Sequence, residues 1–176
     1  MLTRTDLTKL TPAALNDAFR LGGAPTDPLE GTYPGTLVTT TTGRLTDPLL
    51  HAISRAWMPW IGKRFYPVSE TGDNLLVRSA RLPARVFWPS YRLDRVSDDR
   101  YAAFRFRTYT SPGTLDPDIE TLKIDYDSDD NPGFLIRNIL DELVEIAPGE
   151  YLGKVLLRRR PGADWRLVGY FSLRSP

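Results

Sequence analysis

Hydrophobic and polar positions follow two different periods along this chain. Near the start, Ala14, Leu15, Ala18 and Phe19 recur at helical spacing. Thr11-Pro12 supplies a cap residue and a proline suited to the first helical position, and Gly22-Gly23 stops the run. A turn-rich linker over 24–28 follows, and then strand composition over 33–42, where Val38 precedes four threonines. Asp47-Pro48 repeats the cap-plus-proline signal. Leu49, Leu50, Ile53, Trp57 and Trp60 then lie on one stripe of a helix predicted over 47–60, which Pro59 should end or kink.

Beyond Lys63 the period shortens. Strands are predicted over 64–68, 75–81, 85–93, 101–110 and 119–127, with turn residues at 71–74, 97–99 and 111–113. Asn131-Pro132 opens a short helix that gives way to a strand near Leu140. A Pro148-Gly149 turn then leads into a strand over 151–158, and a last strand covers 165–173. Closely spaced strands with few helices between them predict an antiparallel meander or barrel, because parallel strands would need helical crossovers. The pattern fits one domain over 1–176: an N-terminal helix and linker over 1–30, and a barrel over 31–176 that carries the 47–60 helix.

Three stretches, in order along the chain, resemble the GXWXG-domain family of bacterial proteins. The first is Leu15 to Leu21 followed by Pro28-Leu29-Glu30-Gly31-Thr32-Tyr33-Pro34-Gly35, with Tyr33 in the place of the family's tryptophan. The second is Trp60-Ile61-Gly62-Lys63-Arg64-Phe65. The third is Tyr126-Asp127 with Asn131-Pro132, followed by Tyr151-Leu152-Gly153. The family's aspartate-histidine pair has no counterpart, since Arg137-Asn138 falls there. The resemblance implies a lipocalin-like antiparallel barrel, mainly β, with two or three short flanking helices. It implies no established reaction.

Composition narrows the chemistry. The 176 residues include no cysteine and one histidine, which removes disulfides, thiolate metal sites and a cysteine nucleophile, and leaves no His₃ site within one chain. No metal and no cofactor is expected. His51 would lie about 200° from Leu49 on a helix, off the apolar stripe and between Asp47 and Arg55, so a solvent-facing position is expected rather than a catalytic or haem-ligating one. The formal net charge of +1 argues against nucleic acid. No stretch approaches the roughly 20 apolar residues of a membrane span, and no apolar core follows the first positive charge, so a soluble cytoplasmic protein is expected. A homodimer stays open.

Charge is unevenly placed. Arginines number 19 and lysines four, with eight arginines against three acids between Arg78 and Arg107. Seven acids against one lysine lie between Asp116 and Asp130. Asp125-x-Asp127-x-Asp129 starts like a calcium loop, but Asp130 and Ile136 stand where glycine and glutamate are needed. In a regular strand over 101–110, Ala102, Phe104, Phe106 and Thr108 share one face, and Ala103, Arg105, Arg107 and Tyr109 the other. The arginines then either face water and pair with the acidic run, or clamp a carboxylate or phosphate inside a polar lumen. Asp141 and Glu145 would share a strand face about 13 Å apart, beyond glycosidase spacing.

The expected function is a small-molecule-binding barrel for a mostly apolar ligand with room for an anionic group. Its candidate site is Tyr33, Trp57, Trp60, Phe104, Phe106 and Tyr126 as walls, with Arg105 or Arg107 as anchor. An enzyme on the same barrel, of cyclase or isomerase type, would work by shaping its substrate, with Tyr126, Asp127 and Glu142 as proton donors or acceptors. A structural or interaction domain is the third reading, marked by an exposed apolar patch in place of a pocket.

Overall fold

A computed structural model describes residues 6–40 and 60–176. The predicted 47–60 helix up to Pro59, with His51 and Trp57, lies outside the described residues. Helix α1, Pro12–Leu21, begins as its sequence dictates: the Thr11 hydroxyl accepts from the Ala14 N–H at 3.2 Å, and Pro12 opens the first turn. It ends where the Gly22 N–H reaches Phe19 O. Leu15 and Phe19 are fully buried. They pack on Val144, Leu152 and Tyr170 of the barrel's outer wall, each contributing roughly 1.5–3 kcal/mol of burial.

Among the described residues nine strands follow: β1 Gly31–Thr40, β2 Trp60–Tyr66, β3 Thr71–Val77, β4 Asp94–Arg95, β5 Arg100–Pro112, β6 Glu120–Asp125, β7 Ile139–Ala147, β8 Glu150–Leu157 and β9 Arg166–Arg174. All pair antiparallel. Eight close into a barrel: β1–β2–β3–β5–β6–β7–β8–β9 and back to β1, with the two-residue β4 laid against β5. Among the described residues the fold is mainly β, a closed eight-stranded antiparallel barrel with two short flanking helices. No helix among the described residues is long and apolar enough to cross a membrane.

Three local expectations are corrected. The predicted strand over 85–93 is instead helix α2, Arg81–Phe87, and an irregular passage beyond it. Tertiary bonds decide this segment. The Trp88 indole donates to Phe134 O at 3.1 Å, and the Tyr91 hydroxyl accepts the Phe104 N–H at 2.6 Å. Residues 71–74, read as a turn, begin β3; the β2–β3 turn is the single helical turn Pro67–Ser69, closed by Glu70 at φ 51°.

The third correction concerns β5. An extra residue interrupts its register between Ala103, opposite Asn74, and Phe106, opposite Gly72, and Phe104 takes φ 51°. The bulge breaks the strict alternation, so Ala103, Phe104 and Phe106 all join the interior cluster while Arg105 and Arg107 stay exposed. Ala102, expected on the face of Phe104, instead lines an outer-wall cleft with the arginines.

Candidate functional site

Three of the chain's four lysines are buried, each against a carboxylate; Lys9 alone is a surface residue, its side chain 80% exposed. Lys63 is the one turned into the barrel. The bulge at Gly62 (φ 149°) in β2 sets Lys63 opposite Asn74 of β3, and Asp141 reaches the same point from β7. The Lys63 ammonium donates to Asn74 Oδ1 at 2.9 Å, to Asp141 Oδ2 at 2.9 Å, and to the Tyr126 hydroxyl. Tyr126 OH donates to Asp141 Oδ2 at 3.0 Å. The Trp60 indole N–H also donates to Asn74 Oδ1, at 3.0 Å. The Asn74 amide nitrogen donates to Phe104 O at 3.1 Å, which ties the quartet of Lys63, Asn74, Tyr126 and Asp141 to the β5 bulge.

Aromatic faces surround the charge. Lys63 Nζ lies 5.1–5.6 Å from the ring centres of Trp60, Phe106, Tyr126 and Phe171. Gly72 and Gly153 make this possible: a Cβ at Gly72 would come within 2.4 Å of the Phe106 ring, and one at Gly153 within 2.2 Å of the Phe171 ring.

Burial dominates the proton affinities here. It pushes the Lys63 amine below its ordinary value, against the attraction of Asp141. Likewise it pushes the Asp141 carboxyl up, although Lys63 pulls the other way. Tyr126 is raised well above the ordinary tyrosine value, first by burial and then by the Asp141 charge, so it holds its proton at neutral pH. One atom is left over: Asp141 Oδ1 is buried with no hydrogen-bond partner. Beside it lies a cavity of about 10 Å³, lined by Leu37, Trp60, Lys63, Asn74, Asp141 and Phe171. That is room for one water-sized group.

Of the residues expected at the site, Trp60, Phe106 and Tyr126 meet here. Tyr33 is buried elsewhere in the interior, edge-on to Phe65 and Tyr151 at 5.5 and 5.7 Å. Phe104 packs between Trp88 and Tyr91. Arg105 and Arg107 do not enter the lumen; their side chains are 64% and 62% exposed on the outer wall, near Asp73 and Asp125. Asp127 is held by Arg137 and Arg158, and Glu142 lies under the 113–116 loop with Lys123 and the Thr114 N–H. Neither adjoins Tyr126 OH among the hydrogen bonds of the quartet. Sequence reasoning missed Lys63, Asn74 and Asp141 as site residues. Among the described residues, no three metal-ligating side chains converge.

Among solved structures, the chain is similar to the crystal structure of a protein from Thermomonospora curvata. The two share 16% identity over 95% of this chain and 88% of that one, with a TM-score of 0.56. The likeness is one of fold. No protein-family model matches the chain, and no curated protein does.

Proposed function

We propose that the barrel binds a small, mostly apolar molecule whose single polar head enters the interior at Asp141. The observation that carries this reading is the unpartnered, buried Asp141 Oδ1 beside a cavity walled by Lys63, Asn74, Leu37, Trp60 and Phe171. A buried acceptor left unsatisfied costs on the order of 1–3 kcal/mol, and a ligand donor relieves it. The head is therefore a hydroxyl, an alcohol or phenol, rather than the anionic group for which the sequence leaves room, because a carboxylate would face Asp141. The cavity admits the head alone, and the apolar body lies outside it, on the partly exposed sides of Leu37 and Trp60. The resemblance to GXWXG-domain proteins belongs with this reading, since its second stretch supplies Trp60, Gly62 and Lys63. Native mass spectrometry of the chain purified from its own host tests it. A retained small molecule, lost in Asp141→Asn, is expected; the bare polypeptide mass in both proteins contradicts it.

A second reading, an enzyme of isomerase or cyclase type, is favoured by the shift of Lys63 and Asp141 toward their neutral forms within one hydrogen-bonded group with Tyr126. Lys63, Tyr126 and Asp141 would then pass a proton to and from the head. Recovery of the retained molecule unchanged after prolonged incubation counts against this reading and leaves the binding function standing.

A further inference from the structure

We propose that the outer wall carries a second site, a cleft that binds an organic anion, a phosphate monoester or carboxylate, through Arg64, Arg105 and Arg107. The cleft measures about 770 Å³, within the usual range for a small-molecule site. Its floor is the outward face of β2, β3 and β5. There Arg64 stands opposite Asp73 in the register, Thr71 stands opposite Arg107, and β4 and the 128–130 loop form the rim.

Asp73 organises the basic groups without satisfying them. It accepts from Arg64 Nη2 at 3.1 Å and from Tyr66 OH at 3.2 Å, and Arg105 Nε lies 3.5 Å away. One carboxylate thus fixes two guanidiniums, each with five N–H donors in a rigid fork. Arg64 Nε is buried with no partner. Arg107 spends Nη2 on Asp125 and the Asp127 carbonyl, and its side chain remains 62% exposed. The forks of Arg64, Arg105 and Arg107 therefore border one concavity with donors to spare, the geometry that takes a planar or tetrahedral oxyanion. Tyr66, 39% exposed, lines the same cleft and offers an aromatic surface for the rest of the ligand. The site is distinct from the interior quartet; Phe106 borders both.

The probe is phenyl phosphate, titrated calorimetrically into the full chain at fixed ionic strength in chloride. One-to-one saturable binding is expected. Arg105→Ala/Arg107→Ala should weaken it tenfold or more while circular dichroism stays unchanged, because both side chains are exposed. Asp73→Asn, which removes a competing negative charge and leaves the arginines, should tighten it severalfold. Absence of saturable heat, or equal affinity in the arginine double variant, overturns the proposal. A molecule retained at Asp141 would survive the arginine double variant, so the two sites stand or fall separately.

Discussion

Two buried lysine–aspartate pairs, Lys63–Asp141 inside the barrel and Lys154–Asp116 outside it, are built from the same groups and behave in opposite ways. Asp116 has a partner on each oxygen: Lys154 Nζ at 2.5 Å on one and Arg20 Nη1 at 2.6 Å on the other. Lys154 is further held by Asn16 Oδ1 at 2.7 Å. Burial works to raise Asp116, but the hydrogen bonds from Lys154 and Arg20 outweigh it and hold the carboxyl below its ordinary value. Asp141 has both its donors on Oδ2 and none on Oδ1, and there burial wins. The outer pair belongs to the structure, pinning α1 and the 113–118 loop to the wall. At the inner pair, Asp141 keeps Oδ1 unanswered beside a cavity.

The largest expected effect comes from breaking the inner pair. Lys63→Met strands a carboxylate among aromatic rings and should cost about 3–5 kcal/mol, while Lys63→Met/Asp141→Leu should recover much of that loss. Lys154→Met leaves Asp116 with Arg20 and should cost less, about 1.5–3 kcal/mol. Urea unfolding of the three variants measures this, and equal losses for the two single variants would erase the distinction.

The pH dependence of the pairs should run in opposite directions. Asp116 holds its proton less firmly in the fold than its ordinary 3.8, so its contribution is complete above that value and is lost as pH falls through the lower folded one. Asp141 is raised above 3.8, so the fold gains stability as pH falls from its folded value toward the ordinary one. Carbon-detected carboxyl titrations should place Asp116 below 3.8 and Asp141 above it. Both on the same side would break the comparison.

A smaller effect sharpens it further. Thr11→Ala removes the α1 cap and should cost about 1 kcal/mol. Hydrogen exchange should quicken across α1, which holds Asn16 and Arg20 at the outer pair, and leave β2 and β7 amides around Lys63 unchanged. Faster exchange in β2 would mean that the two clusters share one cooperative support.

Cap chemistry and turn chemistry make α1 and the β7–β8 hairpin legible in the sequence: Thr11-Pro12 and Pro148-Gly149 do locally what their residue types favour. The 85–93 passage was not legible, because the bonds of Trp88 and Tyr91 that hold it go to residues far along the chain. At the site, Trp60, Phe106 and Tyr126 were found as aromatics of a barrel wall. Asn74 was hidden in a Thr-Gly-Asp-Asn run that looks like a turn and is strand. Asp141 was hidden beside Glu142, a pair of adjacent acids that a strand sends to opposite faces, one to Lys63 and one to Lys123. A charged residue on each of two otherwise apolar inward faces, Lys63 beside Phe65 and Asp141 between Ile139 and Leu143, was the available signal. Pairing them across three strands needed the register.

Whether Asp141 Oδ1 takes a ligand hydroxyl is decided by a crystal structure of the chain purified from its own host. An oxygen is expected about 3 Å from Asp141 Oδ1, continuous with a carbon body running along the partly exposed sides of Leu37 and Trp60. An isolated water at that point, bonded only to protein, would contradict it.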